Sequence, residues 1–302
     1  MIKVGVIGLG SIAAKAYLPI YGALEGVEFH FQTRNNEKLQ EIGNKYRFTN
    51  LHSSRQSLIE SGITGAFVHS ATESHEAIVR ELLEHDIHVF VDKPITFDYE
   101  SSRKLTELAA EKGKILMTGF NRRYAPSYNE LKAVDNPSIV IVQKNRMRLP
   151  RDLQTFVWDD FIHVVDTITY LFPFPIENII VNARFHENMV QHAVVQFLSQ
   201  GRTAIGIMNR DNAISEEIAE VMGPYEKRTV YNLSNLIISR GLEEIEIRRN
   251  DWEPTLTKRG FEQMVDDFIQ ALKSDRQPMI SAVDALVTHE LCQRIMDELQ
   301  KD

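Results

Sequence analysis

Cysteine occurs once in 302 residues, at Cys292, so no disulfide framework can staple the fold. Cys292 falls with Ala285, Ile295 and Leu299 on one apolar helical face, where a buried, inert thiol is expected. Positive charge is in deficit: 34 Lys and Arg stand against 42 Asp and Glu, a net charge of −8. That argues against nucleic acid as the main partner, because binding to phosphate backbones draws on an excess of cations. No apolar run reaches the length of a membrane span, so no membrane partner is expected. The sequence enters an apolar strand at once, without a signal-like segment, and a cytoplasmic location is expected. Repeats, linkers and low-complexity tracts are lacking too. What remains, 43% hydrophobic and 25% charged, is ordinary for a globular protein, and the length suits two domains.

What is present begins with Gly8-Leu9-Gly10-Ser11-Ile12-Ala13, between an apolar strand Ile2 to Ile7 and the start of a helix. Gly8 permits the tight turn, Gly10 lets a pyrophosphate approach the backbone, and small Ala13 lets the helix pack on its strand. The helix start, with Ser11 and Ile12, offers N–H groups to phosphates. A second strand, Val27 to Thr33, completes the order of a βαβ unit. Strands and helices then alternate to Gly119: helices near 36–46, 56–60, 72–84 and 98–111, strands near 65–69, 87–91 and 114–119. This predicts a doubly wound parallel sheet, a Rossmann domain over residues 1–120.

From Asn121 the pattern changes. Eight strands are expected, near 138–145, 177–183, 189–197, 202–209, 216–222, 229–232, 235–239 and 243–249, joined by short polar turns with little room for helical crossovers. They predict an α+β domain, residues 121–302, with a largely antiparallel open sheet. One helix, Thr155 to Leu171, lies between the first two strands and is halted by Pro173 and Pro175. Two more close the sequence, one with Phe261, Met264, Phe268 and Leu272 in a stripe and one over 283–299.

Three further signals carry chemistry. Asp159, His163 and Asp166 recur at i, i+4 and i+7 on one helix, so a carboxylate one turn before a histidine can orient it for proton transfer. The alternative is the solvated face of an amphipathic helix. A metal site is not expected, since no further ligand lies nearby. Lys93, in Val91-Asp92-Lys93-Pro94, follows a strand where the ligand crevice of an open α/β sheet lies; Pro94 fixes the turn and its preceding bond can be cis. Thr33, Arg34 and Lys38 stand where NAD-binding sheets place an acid for the ribose, so the 2′-phosphate of NADP meets no repulsion and NADP is favoured, with NAD the alternative.

The order and spacing of Gly8–Ala13, Asp92-Lys93-Pro94 and Asp159 with His163 resemble the Gfo/Idh/MocA oxidoreductase family. Residues 68–75, 119–124 and 159–166 look especially like its MviM branch. The resemblance implies oxidation or reduction of a sugar, cyclitol or related polyol with a nicotinamide cofactor, and a second domain whose open sheet forms dimer contacts. It also implies that Lys93 touches substrate and nicotinamide ribose, that His163 takes the hydroxyl proton, and that Asp159 orients substrate or His163. Asp92 replaces the family's usual Glu. Phe161 stands where many members have Gly and would narrow the space near His163.

His69 and Ser70, at a strand end, and Asn121 are further candidates for cofactor contact; His75 either borders the crevice or braces the scaffold. Asn121, Arg122 and Arg146 are candidates for substrate contact, with bracing of the domain junction the alternative for Asn121 and Arg122. Lys144, Arg146, Arg148 and Arg151 fit an anionic substrate or, equally, a solvated basic loop. A homodimer is expected, because Ile139 and Ile141 alternate with Val140 and Val142 and leave apolar residues on both faces of one strand. A non-catalytic dinucleotide-binding sensor is the alternative function; Lys93, Asp159 and His163 together favour the enzyme.

Overall fold

The computed structural model describes residues 1–301, which divide into two compact units. The first comprises Met1–Gly119 and Phe261–Leu286, the second Phe120–Gly260 with the segment from Val287 onward. A single boundary after residue 120 therefore misplaces the helix near Phe261.

In the first unit β1 (Ile2–Ile7), β2 (Val27–Gln32), β3 (Leu51–His52), β4 (Gly65–Val68), β5 (His88–Val91) and β6 (Leu116–Thr118) form one sheet, ordered β3-β2-β1-β4-β5-β6. Every pairing is parallel. The strands are apolar runs because helices cover both faces. These are α1 (Leu18–Ala23), α2 (Asn36–Tyr46), α3 (Arg55–Glu60), α4 (His75–Glu84) and α5 (Tyr99–Glu111), the last capped by Asp98, which accepts from the Ser101 amide at 2.8 Å. Before α1 the helix passes through a π-helical turn, Ala13–Tyr17. Pro19, in the next turn, has no N–H to give, and a widened turn ahead of it accommodates the missing bond.

The second unit holds α6 (Pro126–Lys132), β7 (Ile139–Asn145), α7 (Ile162–Leu171), β8 (Asn178–His186), β9 (Met189–Ser199), β10 (Arg202–Asn209), β11 (Glu216–Met222), β12 (Lys227–Tyr231), β13 (Asn235–Arg240), β14 (Glu243–Ile247) and α8 (Thr255–Lys258). Of the last two helices, α9 (Phe261–Ser274) belongs to the first unit, where Phe268 meets the rings of Phe67 and Phe90 at 4.9 and 5.8 Å. The other, α10 (Ala282–Leu299), buries Cys292 in the second unit, and burial pushes its thiol pKa up, as an inert thiol requires.

The eight strands of the second sheet run β14-β13-β12-β11-β7-β10-β9-β8, antiparallel except for β7 with β10. Helix α7 covers one face, and Gly206 lets it approach: a Cβ there would lie 3.0 Å from Val164 and 3.2 Å from Ile168 and Phe161. On β7 the covered residues Val140 and Val142 are buried while Ile139 is 37% exposed, so the alternation is real and only one face is covered.

Candidate active site

Register brings the strand ends of the first unit together. Ile7 pairs with Val68 and Val68 with Val91, so Gly8, His69 and Asp92 leave three adjacent strands side by side. The sheet order reverses between β1 and β4, and the crevice outside the carboxyl ends at such a switch point is where these folds bind ligands. Gly8 has φ +91°, and a Cβ on it would lie 2.6 Å from the Ser70 amide nitrogen. Gly10 differs: a Cβ there would meet no protein atom within 4 Å. Among the described residues nothing packs against that position, which is the open space that close approach of a pyrophosphate needs. Ser11 and Ile12 are exposed and Ala13 is buried; Ala14 begins the helical ladder by donating to Gly10 at 3.0 Å. The turn fits a dinucleotide.

Asp92 spends both oxygens on the scaffold. Tyr17 donates to Oδ1 at 2.8 Å and His69 Nδ1 donates to Oδ2 at 3.0 Å, while Tyr21 donates to His69 Nε2 at 2.8 Å. Burial, with the Asp92 charge, raises the pKa of Tyr17 and Tyr21 well above the usual 10, so both hydroxyls stay donors. The His69 ring, stacked 3.9 Å from Tyr17, is thus committed to the scaffold.

His75, 1% exposed, lies between the carbonyls of Pro94, 2.9 Å from Nδ1, and Ser70, 3.0 Å from Nε2. Carbonyls only accept, so both bonds together need the imidazolium, whereas burial lowers the His75 pKa from its usual 6.5. His75 therefore braces the loop that carries Lys93, whose bond to Pro94 is cis, instead of bordering the crevice. After β2, Thr33 is half-buried and Arg34 exposed; Lys38 turns to Glu41 at 2.9 Å.

In the second unit, Thr155–Phe161 is π-helical and α7 continues it, so the expected helix is present with a wider first half. Asp159 is exposed, but Asp166 does not join it on a polar face. It is 1% exposed and accepts from Arg123 at 2.7 and 2.9 Å and from Thr288 at 3.2 Å. Burial raises its pKa against the pull of Arg123. Phe161 is fully buried beside Phe156 and the Gly206 strand, so its ring fills the core and the expected narrowing near His163 is withdrawn.

His163 is held by an unforeseen partner. Arg122 NH1 stands 2.7 Å from His163 Nδ1, and a guanidinium can only donate, so Nδ1 accepts and the neutral ring carries its proton on Nε2. Arg122 is fixed in turn by Glu217, with Nε and NH2 at 2.7–2.9 Å from its two oxygens, both side chains being under 8% exposed. Glu217 faces Lys144 across the β7–β11 ladder. Burial alone would raise its pKa, but Arg122, Lys144 and Arg259 outweigh that and bring it down to about 2. Asn121 is likewise engaged within the protein, its amide donating to the Arg259 carbonyl at 2.7 Å. Lys144 reaches Asp160 at 2.8 Å, and Arg210 pairs with the same carboxylate. Arg146 is half-buried, Arg151 partly covered and Arg148 exposed. Tyr17, Tyr21, Asp160, Arg210 and Glu217 escaped sequence reasoning; the only signals were the i, i+4 spacing of the tyrosines and an acid at an inward position of an alternating strand.

Among the described residues no group of three or more His, Cys, Asp or Glu could hold a metal ion, and no helix is long and apolar enough to cross a membrane. Residues 2–120 match the family model described as oxidoreductase family, NAD-binding Rossmann fold. A dehydrogenase (MviM) from Clostridium difficile is 30% identical, with 98% of this chain and 99% of that one covered and a TM-score of 0.94. A Gfo/Idh/MocA family oxidoreductase from Vibrio cholerae is 27% identical, with coverage of 100% and 99% and a TM-score of 0.93. The myo-inositol 2-dehydrogenase of Thermotoga maritima is 27% identical over 45% of this chain and 42% of its own length. With its glycine turn, its second-unit sheet and these end-to-end likenesses, the chain belongs to the Gfo/Idh/MocA family of oxidoreductases.

Proposed function

We propose that the protein is a dehydrogenase of a sugar, cyclitol or related polyol, with the glycine turn Gly8–Ala13 binding the dinucleotide pyrophosphate. The observation that carries the cofactor part is Gly10, which faces open space while its neighbour Gly8 is packed tightly. Likeness to a myo-inositol 2-dehydrogenase supports a polyol. A bound nicotinamide would accept or supply the hydride. Lys93 binds the reacting oxygen and exchanges its proton, as an ammonium in the reductive direction. His163, held by Arg122 with its proton on Nε2, meets the substrate as a neutral hydrogen-bond donor and does not take the hydroxyl proton. Asp159 orients substrate or His163.

The cofactor preferred is NADP, met by exposed Arg34 where an acid is missing. The protein acts as a homodimer through the uncovered sheet face, and the single buried thiol suits a reducing cytoplasm.

The experiment is turnover of sugars, cyclitols and keto sugars followed by nicotinamide absorbance, with Lys93→Ala, His163→Ala and His163→Gln. Lys93→Ala is expected to lose roughly 10²–10⁴ in rate and His163→Ala, which removes a hydrogen-bond donor, roughly 10²–10³, both while still binding cofactor. The glutamine amide can stand in for the Nε2–H donor, so His163→Gln is expected to keep measurable turnover. Wild-type rates in either alanine variant, or a dead glutamine variant, refute the assigned roles. A chain that binds cofactor yet oxidises no member of the panel favours the sensor.

A further inference from the structure

The charges around Arg122 do not balance within the protein. Arg122 takes both oxygens of Glu217, while Lys144 and Arg210 share Asp160, with Asp159 close enough to Arg210 to favour its charge. Arg146 and Arg259 are left over. Their NH2 groups stand 3.6 and 3.8 Å from Glu217 Oε1, beyond hydrogen-bond reach, and that oxygen is already held by Arg122 at 2.7 Å. Neither makes a side-chain hydrogen bond to a carboxylate among the described residues. Their main chains are tied down all the same: the Arg146 amide donates to Asn209 at 2.8 Å, and the Arg259 carbonyl accepts from Asn121. Gly260, at φ +79°, sits so tightly that a Cβ would come within 2.3 Å of the Asn121 carbonyl oxygen, which fixes the Arg259 backbone.

Two guanidiniums are thus positioned by backbone and left with unspent forks, 29% and 40% exposed, in a protein whose net charge is −8. They repel one another. Burial and then the neighbouring cations lower the pKa of Arg259, although Glu217 pulls the other way, and burial with Arg151 and Arg146 brings Arg210 down to about 10. A solvated basic loop does not explain this, because Arg259 comes from a different segment and the cluster converges on the carboxylate that fixes His163's partner.

We propose that Arg146 and Arg259 receive an anionic group of the substrate, a carboxylate or a phosphate, so that the reacting polyol is an acidic or phosphorylated sugar or cyclitol. This rests on the reading of His163 as a group that touches the substrate. Paired planar forks suit the two or three oxygens of either anion.

The test is calorimetric titration of the full chain, saturated with cofactor so that the glycine turn is filled, with glucose, glucuronate, glucose 6-phosphate and inorganic phosphate at low and high salt. At least one anion is expected to bind tenfold or more tighter than glucose and to weaken with salt; which one does so separates carboxylate from phosphate. Arg146→Gln and Arg259→Gln, checked for native circular dichroism, are each expected to cost roughly ten- to a hundredfold in that affinity. Failure of all three anions to bind, glucose binding as tightly as they do, or folded variants binding like wild type overturns the proposal. The salt dependence of the unsubstituted protein keeps the test open to refutation should a variant misfold. Binding of the anion without hydride transfer leaves this site standing and counts against the dehydrogenase reading; oxidation of neutral polyols with no preference for charged ones does the reverse.

Discussion

Substituting Glu217 by Gln removes the only carboxylate hydrogen-bonded to Arg122 among the described residues while keeping the shape of the side chain. Arg122 then stays buried, with Lys144, Arg146 and Arg259 nearby, without the carboxylate that held it. Breaking a buried pair in this way costs about 3–5 kcal/mol. The carboxylate itself gives a second measure: a pKa of about 2 in the folded protein, against the ordinary 4.5, corresponds to about 3 kcal/mol of stability. Because the folded value is depressed, that contribution is complete above about pH 4.5 and is lost as pH falls through 2. Trp158, 1% exposed in the same unit, reports its unfolding, whereas Trp252 is 92% exposed and contributes a steady background. Urea melts read from Trp158 should place the variant about 3 kcal/mol below wild type at pH 7, with the gap closing between pH 4.5 and 2. Other acids titrate alike in both proteins and drop out of the difference. A gap under about 1 kcal/mol at pH 7, or one that survives acidification, refutes the electrostatic account.

Gly10→Ala should fold with stability within about 0.5 kcal/mol of wild type, since no atom of the described residues meets the new Cβ, yet bind dinucleotide much more weakly; unchanged affinity in a fluorescence titration counts against the assigned grip. Wild type should bind NADP roughly ten- to a hundredfold tighter than NAD, nearer the lower figure because Arg34 is exposed, and Thr33→Asp with Arg34→Ala should reverse the preference. Equal or tighter NAD binding by wild type would sink that idea. Sedimentation at micromolar concentration should show a dimer, weakened by Ile180→Lys on the uncovered sheet face, where Ile180 is 50% and Ile139 37% exposed; a wild-type monomer removes the proposal.

The two-unit organisation was legible because each unit writes its burial into the sequence differently. Strands β1, β4 and β5 are buried on both faces, read as largely apolar runs and are separated by helices, whereas burial alternates along β7 and β11 and the strands from β8 to β14 follow one another across short polar turns. The elements missed were short: β3 has two residues and pairs only with Phe31 and Gln32, and α6 has seven. Neither is long enough to express a period. Helix α9 was seen but assigned by position in the sequence, while its membership follows from Phe268 and Leu272 finding Phe67, Phe90 and Gly65.

The site was legible where chemistry is local and illegible where it depends on distant partners. Gly8 and Gly10 declare themselves within one turn, because a positive φ and an open approach are properties of single residues. The state of His163 is not local: it depends on Arg122, 41 residues away, which depends on Glu217, 95 residues further from it in sequence. A spacing of four between Asp159 and His163 suggested a base supported by a carboxylate, yet a guanidinium on Nδ1 imposes the opposite tautomer. Asp92 carries the same lesson. Its change from the family's Glu looks tolerable in isolation, but the shorter side chain is the hub of a buried chain of hydrogen bonds through Tyr17, His69 and Tyr21, so restoring Glu would push a methylene into a closed set of partners. A motif marks where chemistry occurs; which proton sits on which nitrogen is decided by buried polar groups that no motif contains.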